Sequence, residues 1–298
     1  LGYTNVIRYS LAGINVVVTE FEESVKRLEN FERNGYPAES MKKIYDEAGV
    51  CEDDFADVEI IEDCDEVLRR KDIVANFLCL PKYLSGREVK ETLPNYLKKR
   101  LMEIRGNNLT FILEPLLMPG TINQEVIDPI ISEGLIINHD LSLAYAPRRD
   151  WIAGEDEGND RICWASSDEC YGIVESVLGC VDHTVHRIDE PTTCEVIANL
   201  ENSLRHVEST ILNQLAASYT KVNIRPVVAA INKITERKLD YPAIGTGGVK
   251  VPVSTLNLLN GAPTGEGLTI FRETIFSDFA AFKNVTSIIY EKGARHVG

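Results

Sequence analysis

The sequence predicts an α/β chain in which a parallel-sheet domain is followed by an all-helical domain. Short β-branched runs alternate with helical segments in the first half of the chain. Those runs are too apolar to face water on either side, which is typical of parallel sheets covered on both faces. From Pro191 onward the sequence changes to long helical periodicity. We therefore expect a first domain over residues 1–190 and a second over residues 191–298.

The first elements are predicted to be a helix, a strand and a second helix. The chain opens with LGYTNVIRYSLAG, which is typical of a turn followed by a helix. The run INVVVTEF (14–21) predicts a strand that ends in an acidic residue, and EESVKRLENFERNG (22–35) predicts a polar helix closed by glycine. No apolar strand precedes the first helix in the sequence, so we expect that strand to lie upstream or to come from elsewhere.

Three more apolar runs continue the alternation. The segment DEVLRRKDIVANFLCLP predicts a helix that leads into a strand at residues 73–80, and LTFILEPLLMPGT and DLSLAYAP predict two further strands. Strands that alternate with helices in this order indicate a Rossmann-like sheet of the kind that binds nucleotides.

The residues around the first helix carry part of a dinucleotide site. Of the fingerprint GxGxxG, Gly2 is present, and Asn5 stands where a third glycine is expected. Glu20 ends the first strand, where an acidic side chain would accept hydrogen bonds from an adenosine ribose. A solvated strand end is an equal alternative for Glu20.

The second domain begins with a long amphipathic helix. Its sequence, PTTCEVIANLENSLRHVESTILNQLAASY, opens with a predicted capping box from Thr192 to Glu195. Apolar residues recur at a spacing of three or four, at Ile197, Leu200, Leu204, Val207, Ile211 and Leu215. Two further helical stretches, IRPVVAAINKITER and TIFRETIFSDFAAFKNVTSIIYEKG, flank a glycine-rich loop. A long helix with two kinds of face often also packs against a second subunit, so we expect a homodimer.

The charge and composition exclude several classes of protein. A net charge of -15 and a pI near 4.9 would repel the phosphate backbone of DNA or RNA, although a few local cations could still bind a small anion. No apolar run approaches the roughly 20 residues that span a bilayer, and no basic leader precedes an apolar core. We therefore expect a cytoplasmic protein without nucleic-acid or membrane partners.

Cysteine spacing argues against a metal site. The seven cysteines form no CxxC pair, which fits reduced, buried thiols. His183 and His186 lie three residues apart in the alternating run CVDHTVHRI, where such positions face opposite sides of a strand. We expect no bound metal.

Four segments occur in the order and approximate spacing of the UDP-glucose/GDP-mannose dehydrogenase family: EPLLMPGT, LAYAPRRDWIAG, EVIANLENSLRHVESTILNQLA and YPAIGTGGVKVPV. The chain resembles that family over nearly its whole length. The resemblance implies a domain that binds NAD and a helical dimerisation domain of the 6-phosphogluconate dehydrogenase type. Family members oxidise the C6 alcohol of a nucleotide sugar to a carboxylate with two NAD molecules. Because the chain ends soon after the glycine loop, the family's C-terminal nucleotide-binding domain is expected to be absent.

The resemblance also implies which residues contact the cofactor and where the chemistry differs. NAD or NADP is the expected cofactor, with contacts from Gly2, Tyr3, Glu20 and Pro81. At the catalytic positions, however, the family's residues are replaced. The cysteine nucleophile of the loop GGHCIP is Lys250, the lysine of the long helix is Ala198, the glutamate of SPE is Arg148, and the threonines of STVPPGT and VPTP are Leu116 and Lys82. The family's asparagine on the long helix remains, as Asn202.

Lys250 is the candidate that decides the chemistry. The ammonium lost at residue 198 and gained at residue 250 suggests a relocated catalytic cation, with Asn202 still directed at it. In a dry pocket such a lysine could act as a general base or stabilise an alkoxide. Either role suits one two-electron interconversion of an alcohol and a carbonyl, whereas a thioester step is not available without the cysteine. The alternative is a lysine that projects into solvent.

Two further features point to substrate binding. Gly245, Gly247 and Gly248 would let a backbone loop approach a ligand closely, although a tight connection between helices would also explain them. Arg148, with its neighbour Arg149, could bind a phosphate or carboxylate, or could form surface salt bridges. The expected substrate is therefore a small anionic or nucleotide-linked molecule.

A second class of function stays open at the level of the sequence. The incomplete glycine pattern and the replaced catalytic set also fit a protein of the same fold that transfers no hydride. Such a protein could be a transferase that uses S-adenosylmethionine, or a binding partner of an active dehydrogenase.

Overall fold

A computed structural model describes residues 2–19, 57–61, 63–79, 96, 99–148, 160–181, 184–235, 239, 241, 250–264 and 267–291. The chain forms two compact units. The first unit comprises Leu1–Leu116 and Thr121–Cys194, and the second comprises Leu117–Gly120 and Glu195–Gly298.

The first unit begins with alternating helices and strands. Its elements up to the middle of the sheet are α1 (Gly2–Leu11), β1 (Val16–Val18), β2 (Val58–Ile60), α2 (Cys64–Arg69), β3 (Asn76–Leu78), α3 (Leu101–Ile104) and β4 (Leu109–Leu113). A π-helical turn (Ile122–Ile127) then leads into α4 (Asp128–Ser132), and the unit continues with β5 (Leu141–Tyr145), β6 (Arg161–Ala165), α5 (Asp168–Leu178) and β7 (Val185–Arg187).

The strands form two sheets that are parallel apart from one pairing. Strands β1 and β2 pair in parallel, and the larger sheet has the order β3-β4-β5-β6-β7. Within it β3, β4 and β5 are parallel, β6 is antiparallel to β5, and β7 is parallel to β6. This arrangement, with the many helices of the chain, confirms the predicted Rossmann-like α/β fold followed by a helical part.

Strands β4 and β5 lie inside the sheet, and the burial of their residues agrees with that position. All five residues of each strand are buried, as expected for a parallel strand that is covered on both faces. Helix α1 adds Tyr9 to the core that surrounds Ile112 and Ala144. The Tyr9 ring lies 5.0 Å from the ring of Phe77 on β3, measured between centroids, which fixes α1 against the sheet.

The structure differs from the predicted strands in two places. The strand predicted at residues 73–80 covers only Asn76–Leu78, and Val74 before it is 64% exposed. Strand β6 had no counterpart in the prediction, because its first residue is an arginine, which usually indicates an exposed position. The strand-like run before the second unit contains β7, with His186 on its exposed side 2.8 Å from Asp160. His183 lies outside the described residues.

The described residues after β7 form four helices. They are α6 (Pro191–Ser218), α7 (Ile224–Thr235), α8 (Lys250–Gly261) and α9 (Thr269–Glu291). Helix α8 was not predicted from the sequence, because its first residues were assigned to the glycine loop. Its Pro252 lies in the first turn, where a proline costs no intrahelical hydrogen bond. Of the described helices, none is both long and apolar enough to cross a membrane.

The predicted capping box at the start of α6 is wrong. The helix begins at Pro191, before Thr192, because proline is already suited to the first helical position. The Glu195 carboxylate instead accepts a hydrogen bond of 2.6 Å from the backbone N–H of Gly120. The Thr192 hydroxyl oxygen accepts a bond of 3.4 Å from the side chain of Asn123.

Helix α6 buries its polar face and exposes its apolar one. The apolar residues on its exposed side are Ile197, Leu200, Leu204, Ile211 and Leu215. The buried polar residues on it are Glu195, Asn199, Asn202, Ser203, His206 and Thr210. At 3.6 residues per turn the centres of the two sets lie about 150° apart around the helix axis. The predicted amphipathic helix is therefore present, but its apolar side, which would normally pack in a core, is exposed.

Candidate functional site

The carboxyl ends of three parallel strands bring together three ionisable side chains of the first unit. Cys79 follows β3, Glu114 follows β4, and Arg148 lies three residues after β5. The backbone continues the sheet into this region, since Ala146 N–H donates to Leu113 O and Arg148 N–H to Glu114 O. In open α/β sheets ligands bind outside the carboxyl ends of the strands. We therefore take this edge as the candidate site of the first unit.

The antiparallel direction of β6 places a second arginine at the same edge. Arg161, the first residue of β6, forms an ion pair of 3.0 Å from its Nη2 to Glu114 Oε1, and the same nitrogen donates to Ala146 O at 2.7 Å. The Arg161 side chain is 2% exposed and that of Glu114 is fully buried. Because a buried charge is costly without a partner, this pair fixes the exits of β4 and β5 relative to each other.

Cys79 is a neutral thiol in this setting. Its Sγ donates to Glu114 Oε2 at 3.4 Å. Burial raises the pKa of the Cys79 thiol well above its ordinary value, and the Glu114 carboxylate raises it further. A thiol of this kind cannot replace the nucleophile that the glycine loop lacks, because the thiolate is the reactive form.

Arg148 lies within this edge of the sheet. Only 7% of it is exposed. Its charge favours the ionised form of the Cys79 thiol and so partly opposes the effect of burial on that pKa. Its neighbour Arg149 lies outside the described residues.

The second unit contains the predicted catalytic asparagine. Asn202 is buried on α6, and its Nδ2 donates to Ala198 O at 3.2 Å. Helix α8 contacts the same polar face, since Asn257 Nδ2 donates to Asn199 Oδ1 at 3.1 Å and Thr255 Oγ1 lies 2.9 Å from His206 Nδ1. Lys250 is the first residue of α8, and its side chain lies outside the described part.

The backbone segment Leu117–Gly120 is held on α6 by two buried polar side chains. Glu195 accepts from Gly120 N–H, and Asn199 Nδ2 donates to Leu117 O at 2.7 Å. Both side chains are fully buried. The segment belongs to the motif EPLLMPGT, so this part of the sequence pattern has a definite structural partner on α6.

The remaining predicted site residues are described only in part. Gly2 and Tyr3 open α1, and the structure describes their backbone. The other predicted cofactor and substrate residues lie outside the described residues: Glu20, Pro81, Gly245, Gly247 and Gly248. Across the described ranges, no group of three or more His, Cys, Asp or Glu side chains is placed to hold a metal ion.

Sequence reasoning missed Glu114, Arg161 and His206. Glu114 stands directly after a largely apolar strand and before a proline, which is a signal that a strand end carries a functional or paired charge. Arg161 and His206 gave no such signal, since a charged or polar residue in a strand or helix is usually on the surface.

No protein-family model matches the chain, and no curated protein matches it. Several solved structures do. The UDP-D-ManNAc dehydrogenase from Pyrococcus horikoshii is similar with a TM-score of 0.69 and 20% identity, over 93% of this chain and 71% of that one. The UDP-glucose dehydrogenase from Pyrobaculum islandicum gives a TM-score of 0.72 at 17% identity, over 95% of this chain and 66% of that one.

A structure of Psf3 in complex with NADP+ and 2-OPP is also similar, with a TM-score of 0.58 and 12% identity over 93% of this chain and 89% of that one. At these identities the likeness concerns the fold. The resemblance predicted from the sequence is confirmed at that level, and the chain has the fold of the nucleotide-sugar dehydrogenases.

Proposed function

We propose that the protein is an NAD(P)-dependent oxidoreductase that interconverts an alcohol and a carbonyl on an anionic or nucleotide-linked substrate. The observation that carries this proposal is the position of Arg148. It is a buried guanidinium at the carboxyl end of a central parallel strand, where sheets of this type bind their ligands. An arginine there can bind a phosphate or carboxylate through two parallel hydrogen bonds. The shared fold with nucleotide-sugar dehydrogenases supports the same function.

The described residues fit a dinucleotide cofactor. Helix α1 begins at Gly2, and a helix start offers backbone N–H groups to a pyrophosphate. Strand β1 ends two residues before Glu20, the predicted partner of the adenosine ribose. Gly2, Tyr3, Glu20 and Pro81 would hold the cofactor, which would supply the hydride acceptor. The similar structure of Psf3 contains NADP+.

The chain's own residues would bind the substrate and move its proton. Arg148 would bind the anionic group, and the glycines at 245, 247 and 248 would let the loop approach the substrate. Lys250 would take the alcohol proton or stabilise the alkoxide. The hydrogen bond from Asn202 to Ala198 O uses its amide nitrogen and does not involve Oδ1, the atom that would accept from the Lys250 ammonium.

The second candidate function is a non-redox protein of the same fold, such as an S-adenosylmethionine-dependent transferase or a binding partner of an active dehydrogenase. The observation that favours it is Ala198, which stands where the resembling family has its helix lysine and whose carbonyl already accepts from Asn202. The oxidoreductase and the transferase would both place an adenosine-bearing cofactor in the first unit.

Ligand-induced stabilisation separates the two candidates. We expect NAD or NADP to raise the unfolding temperature, with a gain in the free energy of unfolding of about 2.7 kcal/mol at a ligand concentration 100 times Kd. S-adenosylmethionine should leave it unchanged. Differential scanning fluorimetry with the three cofactors measures this directly. Stabilisation by S-adenosylmethionine alone would overturn the oxidoreductase proposal in favour of the transferase.

Replacement of Lys250 tests its role. With a cofactor-reducing alcohol identified, Lys250→Ala should lower kcat by about 100-fold to 10,000-fold, the usual range for a general base. Lys250→Arg keeps the charge but removes the basic amine, so retained turnover in that variant would indicate alkoxide stabilisation. The exposed Lys233 on α7 offers the matched control, Lys233→Ala, which should keep full turnover. Full turnover in Lys250→Ala would remove the lysine from the mechanism.

We further propose that the exposed apolar side of α6 is the contact surface of a homodimer. This apolar stripe consists of Ile197, Leu200, Leu204, Ile211 and Leu215, and Leu204 within it is 53% exposed. A row of aliphatic side chains along a long helix is stabilised when water is removed from it. A second copy of α6 offers an identical surface, as a twofold interface requires.

A further inference from the structure

A buried histidine links three helices of the second unit. His206 on α6 is fully buried. Its Nδ1 lies 2.9 Å from Thr255 Oγ1 on α8, and its Nε2 lies 3.5 Å from Asp278 Oδ2 on α9. The latter pair is within reach of an ion pair but does not make a hydrogen bond, so Nε2 is buried without a hydrogen-bond partner.

The contact continues into the first turn of α8. Thr255 is fully buried, and its hydroxyl also lies 3.4 Å from the carbonyl oxygen of Val251. Val251 follows Lys250 directly in the sequence. A row of polar groups therefore runs from Asp278 through His206 and Thr255 to the backbone at the start of α8.

The proton on the imidazole decides the direction of these hydrogen bonds. A proton on Nε2 faces the Asp278 carboxylate favourably, and the unprotonated Nδ1 can then accept from the Thr255 hydroxyl. When both ring nitrogens carry protons, the Thr255 oxygen must accept from Nδ1, and its own proton must turn to Val251 O. Neutral and charged His206 thus require different arrangements at the same buried contact.

Burial works against the charged form. Desolvation lowers the pKa of His206, and the Asp278 carboxylate opposes that shift in part. Asp278 is the charged group that faces His206 from α9, whereas α8 presents the uncharged Thr255 and the neighbouring turns of α6 present Asn202, Ser203 and Thr210. A proton therefore binds more readily to His206 when the ring is exposed to water.

The contact around His206 is also weak for a helix interface. Thr210 Oγ1, one turn further along α6, is a second buried polar atom without a hydrogen-bond partner among the described residues. Buried polar atoms that lack partners reduce the free energy gained on packing. An interface with two such atoms opens more easily than an apolar one.

We propose that His206 acts as a proton-linked latch that holds α8 and α9 against α6 at neutral pH and releases them on acidification. In the closed arrangement α8 and α9 pack on α6 around the neutral ring. Protonation of the ring favours arrangements in which it is exposed to water. Since the pKa of folded His206 lies below its ordinary value of 6.5, the closed arrangement is fully stabilised above about pH 6.5 and loses stability as the pH falls below that value. The latch would control the helix that begins at Lys250.

Hydrogen–deuterium exchange of the full chain tests the latch without any assay of activity. We expect exchange in α8, compared with α5 of the first unit as an internal reference, to increase between pH 7.5 and pH 5.5. His206→Gln should remove most of that increase, because glutamine does not titrate. The matched control is His186→Gln, an exposed histidine on β7, which should keep the wild-type response. An equal pH response in wild type and His206→Gln would overturn the proposal.

A second measurement covers the case in which His206→Gln fails to fold. Ring nuclear magnetic resonance of the wild-type protein reports the titration of each of the five histidines. The signal set that persists when each of the other four histidines is replaced in turn is assigned to His206. We expect the His206 signals to titrate below pH 6.5 and to shift lower still in Asp278→Asn, since the carboxylate attracts the proton. Titration of His206 at or above pH 6.5 would overturn the latch.

Discussion

At the scale of single residues, Gly261 shows how little space separates α8 from the segment Leu117–Gly120. A Cβ at this position would lie 2.9 Å from Pro119 Cδ, 3.0 Å from Pro119 O and 3.1 Å from Met118 Cγ. Real Cβ atoms do not approach a backbone oxygen and a proline ring so closely, and neither neighbour is a flexible side-chain end. The absence of a side chain at residue 261 is therefore a packing requirement of the second unit.

We predict that Gly261→Ala lowers the free energy of unfolding by about 1–3 kcal/mol, as other overpacked sites do. Gly172, within α5, is the matched control, because a Cβ there meets nothing within 4 Å. Gly172→Ala should instead raise stability by about 0.5–1 kcal/mol, since alanine is favoured over glycine inside a helix. Urea denaturation of both variants measures the two signs, and equal effects would contradict the packing argument.

The candidate site shows which residues sequence reasoning can find and which it cannot. Arg148 was predicted because two adjacent arginines after a strand stand out in an acidic chain. Arg161 was not predicted, because it pairs with Glu114 through the reversed direction of β6, and pairing across non-neighbouring strands leaves no local pattern in the sequence. Glu114 was missed although its position between a strand and a proline is a local signal. His206 was missed for the same reason as Arg161, since its partners lie 49 and 72 residues away on other helices.

At the scale of elements, α6 has the reverse of the usual distribution of residue types. The long helix was predicted correctly from its apolar spacing, but periodicity reports only that two faces differ and not which one is covered. The buried face holds Glu195, Asn199 and His206, each with a partner on another segment. The polar face is thus buried because its hydrogen-bond partners lie on other segments of the second unit. The aliphatic face stays exposed and is available to the proposed second copy.

We predict that Leu204→Glu shifts the protein from dimer to monomer, because a carboxylate at the centre of an apolar interface would lose its hydration without gaining a partner. Leu204→Met, at the same position, keeps an apolar side chain and should keep the dimer. Light scattering after gel filtration gives the mass of each variant. A wild-type mass of one chain, or a dimer in Leu204→Glu, would contradict the assignment of this surface.

Helix α8 illustrates a limit of reading elements from composition. Its start follows a run rich in glycine and contains a proline, both of which indicate a loop when they are read alone. The proline falls in the first turn, however, where it is compatible with the helix, and the residues after it supply the buried positions Ser254, Thr255 and Leu258. The position of a proline relative to a helix start, rather than its presence, was the informative feature.

At the scale of the whole molecule, the order of elements was predictable and their exact pairing was not. Alternating helices and apolar strands gave the Rossmann-like fold, since β4 and β5 are buried on both faces as parallel strands must be. The antiparallel β6 and the crossing of Leu117–Gly120 into the second unit depend on contacts between residues far apart in sequence, which no window of residues contains.

That crossing also determines how the protein can be divided. Glu195 and Asn199 find their partners 75 and 82 residues upstream, in a stretch of four residues that is flanked on both sides by the first unit. A fragment cut to start at Glu195 would retain a buried carboxylate and a buried carboxamide while losing the peptide groups that satisfy them. The helical half is therefore a poor candidate for expression by itself, because its folding depends on a four-residue segment that lies within the sequence of the first unit.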